Sequence, residues 1–130
     1  MEPGAKGGFK SYRELIVWQK SMQLVTDIYR ATESLPKAEQ FGLTAQIRRA
    51  AVSVPCNIAE GFGRQLAGDF TRFLTMARGS LYELQTQIEI ALNLRYLDQA
   101  TVTQLSTQAL EIERMLNRLI STVRAPKAGS

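Results

Sequence analysis

Apolar residues recur at spacings of three and four along four stretches of this chain, the period of a buried stripe on an α-helix. Leu15, Trp18, Met22, Val25 and Tyr29 carry the first, a heptad-like seam that Ile16, Val17, Leu24 and Ile28 widen beyond one stripe. That helix is expected to be covered on two sides, by its own bundle and by something else. Leu43, Ile47, Ala50, Ala51, Val54 and Ile58 carry the second. Phe70, Phe73, Leu74, Ala77, Leu81, Leu84, Ile88 and Ala91 carry the third, and Val102, Leu105, Ala109, Ile112, Leu116, Leu119 and Val123 the fourth.

Local signals punctuate these stretches. Ser11 and Glu14 have the spacing of a capping box at the start of the first helix. Pro36 ends that helix and suits the first turn of the second, which is expected to run to about Glu60 with Gly61 as its permissive C-terminal position. Leu66 to Gly68 reads as a connection, Asp69 as an N-cap or first-turn acid, and Asp98 with Thr101 as the next break and cap. Four helices of about 20 to 28 residues with short loops predict an all-α, antiparallel up-down-up-down four-helix bundle. The bundle is placed at residues 11–124, between a flexible N-terminal arm (1–10) and a flexible C-terminal tail (125–130).

The second helix holds more than a core stripe. Gln46, Arg49, Ser53, Asn57, Glu60 and Arg64 fall on an arc about 80° wide beside the apolar face. Pro55 lies inside this helix, where it cannot donate to the Ala51 carbonyl and is expected to kink or loosen the chain, with Ser53 and Asn57 near enough to satisfy freed backbone groups. Gly79 interrupts the third helix at a cost of ~1 kcal/mol. A close helix–helix contact there is the expected reason.

Composition narrows the chemistry. The 130 residues include no histidine and a single cysteine, Cys56. Ser-His-Asp and Cys-His nucleophile systems, Glu-x-x-His di-iron ligands and Cys/His zinc sites are therefore excluded, as is an intramolecular disulfide. Cys56 is expected to be a small packed residue. No apolar run is long enough to span a membrane and the N-terminus lacks a secretory h-region, so a cytoplasmic protein is expected. Without histidine only a carboxylate metal site stays open, and no cofactor or metal is expected. The formal charge of +4 is compatible with nucleic acid or another acidic partner.

Three motifs carry a family resemblance: LxVWQKSMxL in the first helix, FGLTAQIRRAAVSVPCNIAEGFGR in the second and FLTMARGSLYEL in the third. Together they resemble the four-helix bundle proteins encoded by intervening sequences in bacterial 23S ribosomal RNA, over roughly residues 11–97. The accessory variability protein of diversity-generating retroelements lies in the same superfamily. The resemblance implies a left-handed bundle, a ring-shaped homo-oligomer that in these families is a pentamer, and nucleic-acid binding without catalysis. The family's Asn-Ile-Ala-Glu-Gly motif falls on Asn57 to Gly61, and its Ala-Arg-Gly-Ser motif on Ala77 to Ser80.

Arg48, Arg49, Arg64 and Arg72 are the candidate phosphate contacts, because the guanidinium fork suits phosphate oxygens; ordinary surface or interface charges are the alternative. Ser53, Pro55, Asn57, Glu60, Gly61, Arg78 and Gly79 are expected to be structural or to contact a neighbouring subunit, with Glu60 paired to Arg78 or to an arginine of another subunit. Tyr12, Trp18, Tyr29 and the helix-three phenylalanines are expected to pack in the core or an interface. Two further readings stand beside nucleic-acid binding: a ring-shaped scaffold that recruits a protein such as a polymerase, and an enzyme using Glu60.

Overall fold

The computed structural model describes residues 8–124, so positions 1–7 of the expected arm and the whole expected tail lie outside the described residues. Four helices form: α1 (Ile16–Ala31), α2 (Leu43–Phe62), α3 (Ala67–Asn93) and α4 (Gln99–Arg124), with no strand among the described residues. Each packs on the next and α4 closes back on α1, so the four enclose one core. None is long and apolar enough to cross a membrane.

The Ser11–Glu14 pair caps something shorter than a helix. The Ser11 hydroxyl accepts the Arg13 N–H and the Glu14 carboxylate accepts the Lys10 N–H, around a 3-10 turn at Tyr12–Glu14. Leu15 then adopts an extended conformation before α1 begins at Ile16. The inner face of α1 also differs from the expected seam. Val17, Ser21, Leu24 and Ile28 are buried, whereas Met22 and Tyr29 are exposed and Trp18 and Val25 only half-buried. Both arcs are apolar, and the branched aliphatic one fills the bundle while the aromatic one lies outside. Ser21 is accommodated because its hydroxyl donates to the Val17 carbonyl at 2.7 Å.

Pro36 does not open the second helix. It heads a separate 3-10 turn at Lys37–Glu39, and α2 starts only at Leu43. There the Glu39 carboxylate accepts the Leu43 N–H and the Tyr96 hydroxyl, tying the start of α2 to the end of α3. The Tyr96 phenol is held above its ordinary pKa, mainly by that bond. Downstream, α2 continues through a buried Pro55 and through Gly61, with Gly63 as its C-cap.

Helix α3 begins two residues earlier than the expected connection allows, so of its two expected roles Asp69 takes that of first-turn acid. It ends in a Schellman arrangement: Tyr96 N–H bonds to the Ala91 carbonyl, Arg95 N–H to that of Leu92, and Arg95 takes φ 63°. The Asp98 carboxylate accepts the Thr101 N–H at 2.8 Å and caps α4. All eight apolar positions expected of the third stretch are buried, and six of the seven of the fourth, with Leu119 half-buried and Ile120 taking its place.

Candidate nucleic-acid interface

The four arginines divide into two pairs, about 20 Å apart along α2. Arg48 and Arg49 lie in its first half. Arg48 reaches back to the end of α1, donating to the Thr32 hydroxyl at 2.9 Å and the Tyr29 carbonyl at 3.2 Å while its guanidinium sits 4.6 Å from the Tyr29 ring centre. All three partners are neutral, so its charge stays uncompensated. Arg49 is exposed and has no ion pair among the described residues.

Arg64 and Arg72 flank Phe73, at 4.9 and 4.6 Å from its ring centre. Each also meets a carboxylate: Arg64 with Glu60 at 3.2 Å and Arg72 with Asp69 at 3.6 Å. Charge at this end is cancelled within the chain.

The expected Glu60–Arg78 pair does not form. Arg78 donates instead to Asn117 of α4 at 2.8 Å, and one turn on the Tyr82 hydroxyl donates to Glu113 at 2.9 Å. That second bond is the main reason the Tyr82 phenol is held above its ordinary pKa. Glu60 is more than half exposed in its pair with Arg64, so no buried charge is at stake there. Register decides this: Glu60 sits at the end of α2, where α3 presents Phe70 and Phe73.

Neither glycine has the role expected of it. A Cβ on Gly79 would meet nothing within 4 Å, so no close contact explains that residue. Gly61 is buried against α3 and is the true point of close approach.

The polar arc of α2 faces α3. Ser53 and Ser80 hydroxyls lie 2.8 Å apart, and the Asn57 amide donates to both the hydroxyl and the carbonyl of Ser53. These bonds run among the side chains and to Ser53, rather than to the Ala51 carbonyl that Pro55 leaves free. Next to them Gln46, Arg49, Ala50, Ser53, Glu83 and Gln87 line a cavity of about 360 Å³. Glu83 and Gln87 escaped the sequence reading. A signal for Gln87 existed, because a glutamine three residues after Leu84 stands on the buried arc of α3.

An apolar strip runs along α1 and α2. Trp18, Met22 and Val25 face Val52, Pro55 and Cys56, and Val52 also lines a second hollow with Tyr29 and Phe41. Phe41 is 90% exposed. Cys56 is exposed here rather than packed, since it falls on the outer side of α2, away from Val54 and Ile58. Tyr12 and Trp18 meet edge to face at 5.2 Å beside this strip.

No group of three or more metal-ligating side chains occurs among the described residues. No curated protein matches the chain. A solved structure of a protein of unknown function, from the S23 ribosomal protein family of Bacteroides thetaiotaomicron VPI-5482, is similar in fold. It is 24% identical with a TM-score of 0.76, over 81% of this chain and 98% of that one. The model of the 23S rRNA-intervening sequence protein family matches residues 13–118. On that match, which spans all of α1, α2 and α3 and most of α4, the chain belongs to the 23S rRNA-intervening sequence protein family.

Proposed function

We propose that this protein is a non-enzymatic, cytoplasmic, homo-oligomeric four-helix bundle that binds the backbone of RNA or DNA. The observation that carries the reading is the contrast between its two arginine pairs. Arg64 and Arg72 are neutralised by Glu60 and Asp69, whereas Arg48 and Arg49 keep their charge. Phosphate contact therefore belongs to the first half of α2. Five copies of +4 in a pentamer would carry roughly +20, enough for salt-sensitive, sequence-independent attraction of a polyanion.

Side-chain pairs support the antiparallel, up-down-up-down arrangement; the left hand of the bundle rests on the family resemblance alone. Ser53 meets Ser80 while Gly61 meets Phe70, and Arg78 meets Asn117 while Tyr82 meets Glu113, so residue numbers rise on one helix as they fall on its neighbour. The apolar strip and the exposed Phe41 support covering of α1 and α2 by another copy. The same strip favours the second reading, a ring that recruits a protein partner.

The test is duplex binding measured across a tenfold range of salt. Affinity should fall steeply with salt, and Arg49→Ala should weaken it and reduce the salt slope by about one. The double substitution Arg64→Ala/Arg72→Ala should leave it nearly unchanged. Binding absent at low salt, or lost only with the Arg64/Arg72 pair, would overturn the assignment and favour the scaffold.

A further inference from the structure

The polar groove between α2 and α3 holds an unsatisfied group. Gln87 is only 9% exposed, yet its amide oxygen has no hydrogen-bond partner. A buried acceptor left unpaired costs ~1–3 kcal/mol, so a groove that keeps one is suited to a donor from outside the chain. Arg49 and Glu83 line the same groove, and the side chain of neither makes an ion pair or hydrogen bond among the described residues. The α3 wall thus carries a carboxylate, with the buried amide oxygen of Gln87 beside it, and the α2 wall a guanidinium. Gln46 adds an amide at the rim and Ala50 an apolar floor.

The matching ligand has adjacent N–H donors on one edge and an anionic group beyond it. Among the four RNA bases only guanine presents two neighbouring N–H donors, its ring N1–H and its exocyclic amine. Adenine and cytosine present an amine beside a ring acceptor, and uracil a single N–H between two carbonyls. Unpaired bases read on this edge are the usual targets of selective RNA recognition. The cavity of about 360 Å³ falls within the size range of small-ligand sites.

We propose that this groove binds an unpaired guanine nucleotide, whose N–H edge meets Glu83 and Gln87 while its phosphate meets Arg49. The inference rests on the nucleic-acid reading above but concerns a mononucleotide, so the two can fail separately. Glu83 accepts the ring N1–H and one amine hydrogen as a carboxylate, the Gln87 oxygen accepts the second amine hydrogen, and Gln46, on the same lining, supplies an amide donor for the base carbonyl. Phosphate, being the more hydrated end, stays at the mouth with the exposed Arg49.

The experiment is calorimetric titration of the full chain with GMP, AMP, CMP and UMP at moderate salt, beside duplex binding. GMP should bind at least about tenfold more tightly than the others. Glu83→Gln should weaken GMP by about tenfold without lowering the melting temperature or weakening the duplex. Gln87→Leu should abolish GMP binding while the chain stays folded. Guanosine should bind more weakly than GMP and be insensitive to Arg49→Ala. Equal binding of all four nucleotides, no binding of GMP, or indifference to Glu83→Gln would each overturn the proposal. Duplex binding without GMP binding would sink the groove alone; GMP binding without duplex binding would sink the backbone reading alone.

Discussion

Gly61 of α2 lies so close to Phe73 of α3 that a Cβ built on it would stand 2.6 Å from the Phe73 Cβ, and 3.1 Å from a ring carbon of Phe70. Both opposing atoms belong to buried or well-packed aromatic side chains, so the helices would have to separate to admit a methyl group. Gly61→Ala should destabilise the fold by about 1–3 kcal/mol, the usual cost of overpacking. Gly79→Ala, where a Cβ meets nothing within 4 Å, should stabilise it by about 0.5–1 kcal/mol through helix propensity. Denaturant midpoints of the two variants check both. A stabilising Gly61→Ala would mean that α2 and α3 are further apart than described.

Arg48 joins α2 to the end of α1 through three contacts that lysine cannot reproduce together. Arg48→Lys should lower stability by about 1–2 kcal/mol while conserving charge. Thermal melting would show this as a shift of roughly 3–8 °C. A variant that melts like the parent would show that the contacts form without contributing.

The Arg95 backbone sits in the left-handed region that side chains disfavour, at φ 63°. Replacing it with glycine relieves that strain but loosens the unfolded chain, for a net gain of about 0.5–1 kcal/mol. Chemical denaturation of Arg95→Gly should show a higher midpoint at unchanged slope. A lower midpoint would mean that the Arg95 side chain contributes more than its backbone costs.

Asp98 gives a pH dependence with a definite sign. The Thr101 backbone N–H, first among its causes, holds the Asp98 carboxyl below its ordinary value of 3.8. A depressed pKa means that the ionised cap stabilises the folded state above the ordinary value, and that this contribution fades as the pH falls through the folded-state value. Asp98→Ala should therefore melt below the parent at neutral pH, and the gap should narrow only below about pH 3.8. A gap constant down to pH 2 would show that the cap does not depend on charge.

Phe41 leaves the strip between α1 and α2 with an exposed ring at its end. Phe41→Ser should leave the melting of the isolated chain within about 0.5 kcal/mol, since no buried packing is lost. Light scattering should show a smaller particle if another copy covers this strip. An unchanged mass would move the assembly contact elsewhere.

Periodicity served well where a helix has one apolar face. The third stretch is buried at every position read from its spacing, because the apolar residues on the outer side of α3, Met76, Tyr82 and Ile90, are scattered among polar ones and form no competing stripe. In α1 two apolar arcs compete, and spacing alone does not say which one turns inward; shape decides, with Leu24 and Ile28 inside and Met22 and Tyr29 outside. Pairings across helices depend on register, which residue types do not encode. The expected Glu60–Arg78 pair fails on that register, and Glu60 instead meets Arg64 four residues on, a local pair that needs none. The neutral partners of Arg48, Tyr29 and Thr32, lie across helices and were not legible, whereas Glu60 and Asp69 stand four and three residues from Arg64 and Arg72, a spacing that the sequence does carry. The groove at Gln87 depends on the same missing register, since Gln46 and Glu83 come together only when α2 and α3 are aligned.

The exposure of Cys56 has a practical consequence. It is the only thiol in 130 residues, and it stands on the apolar strip beside Met22, Val52 and Trp18. The protein therefore carries its own occupancy reporter: the rate at which a maleimide dye labels this sulfur measures how much of the time the strip lies open to solvent. Dilution should quicken labelling if the strip is shared between copies, and a bound partner should slow it, with no engineered residue required.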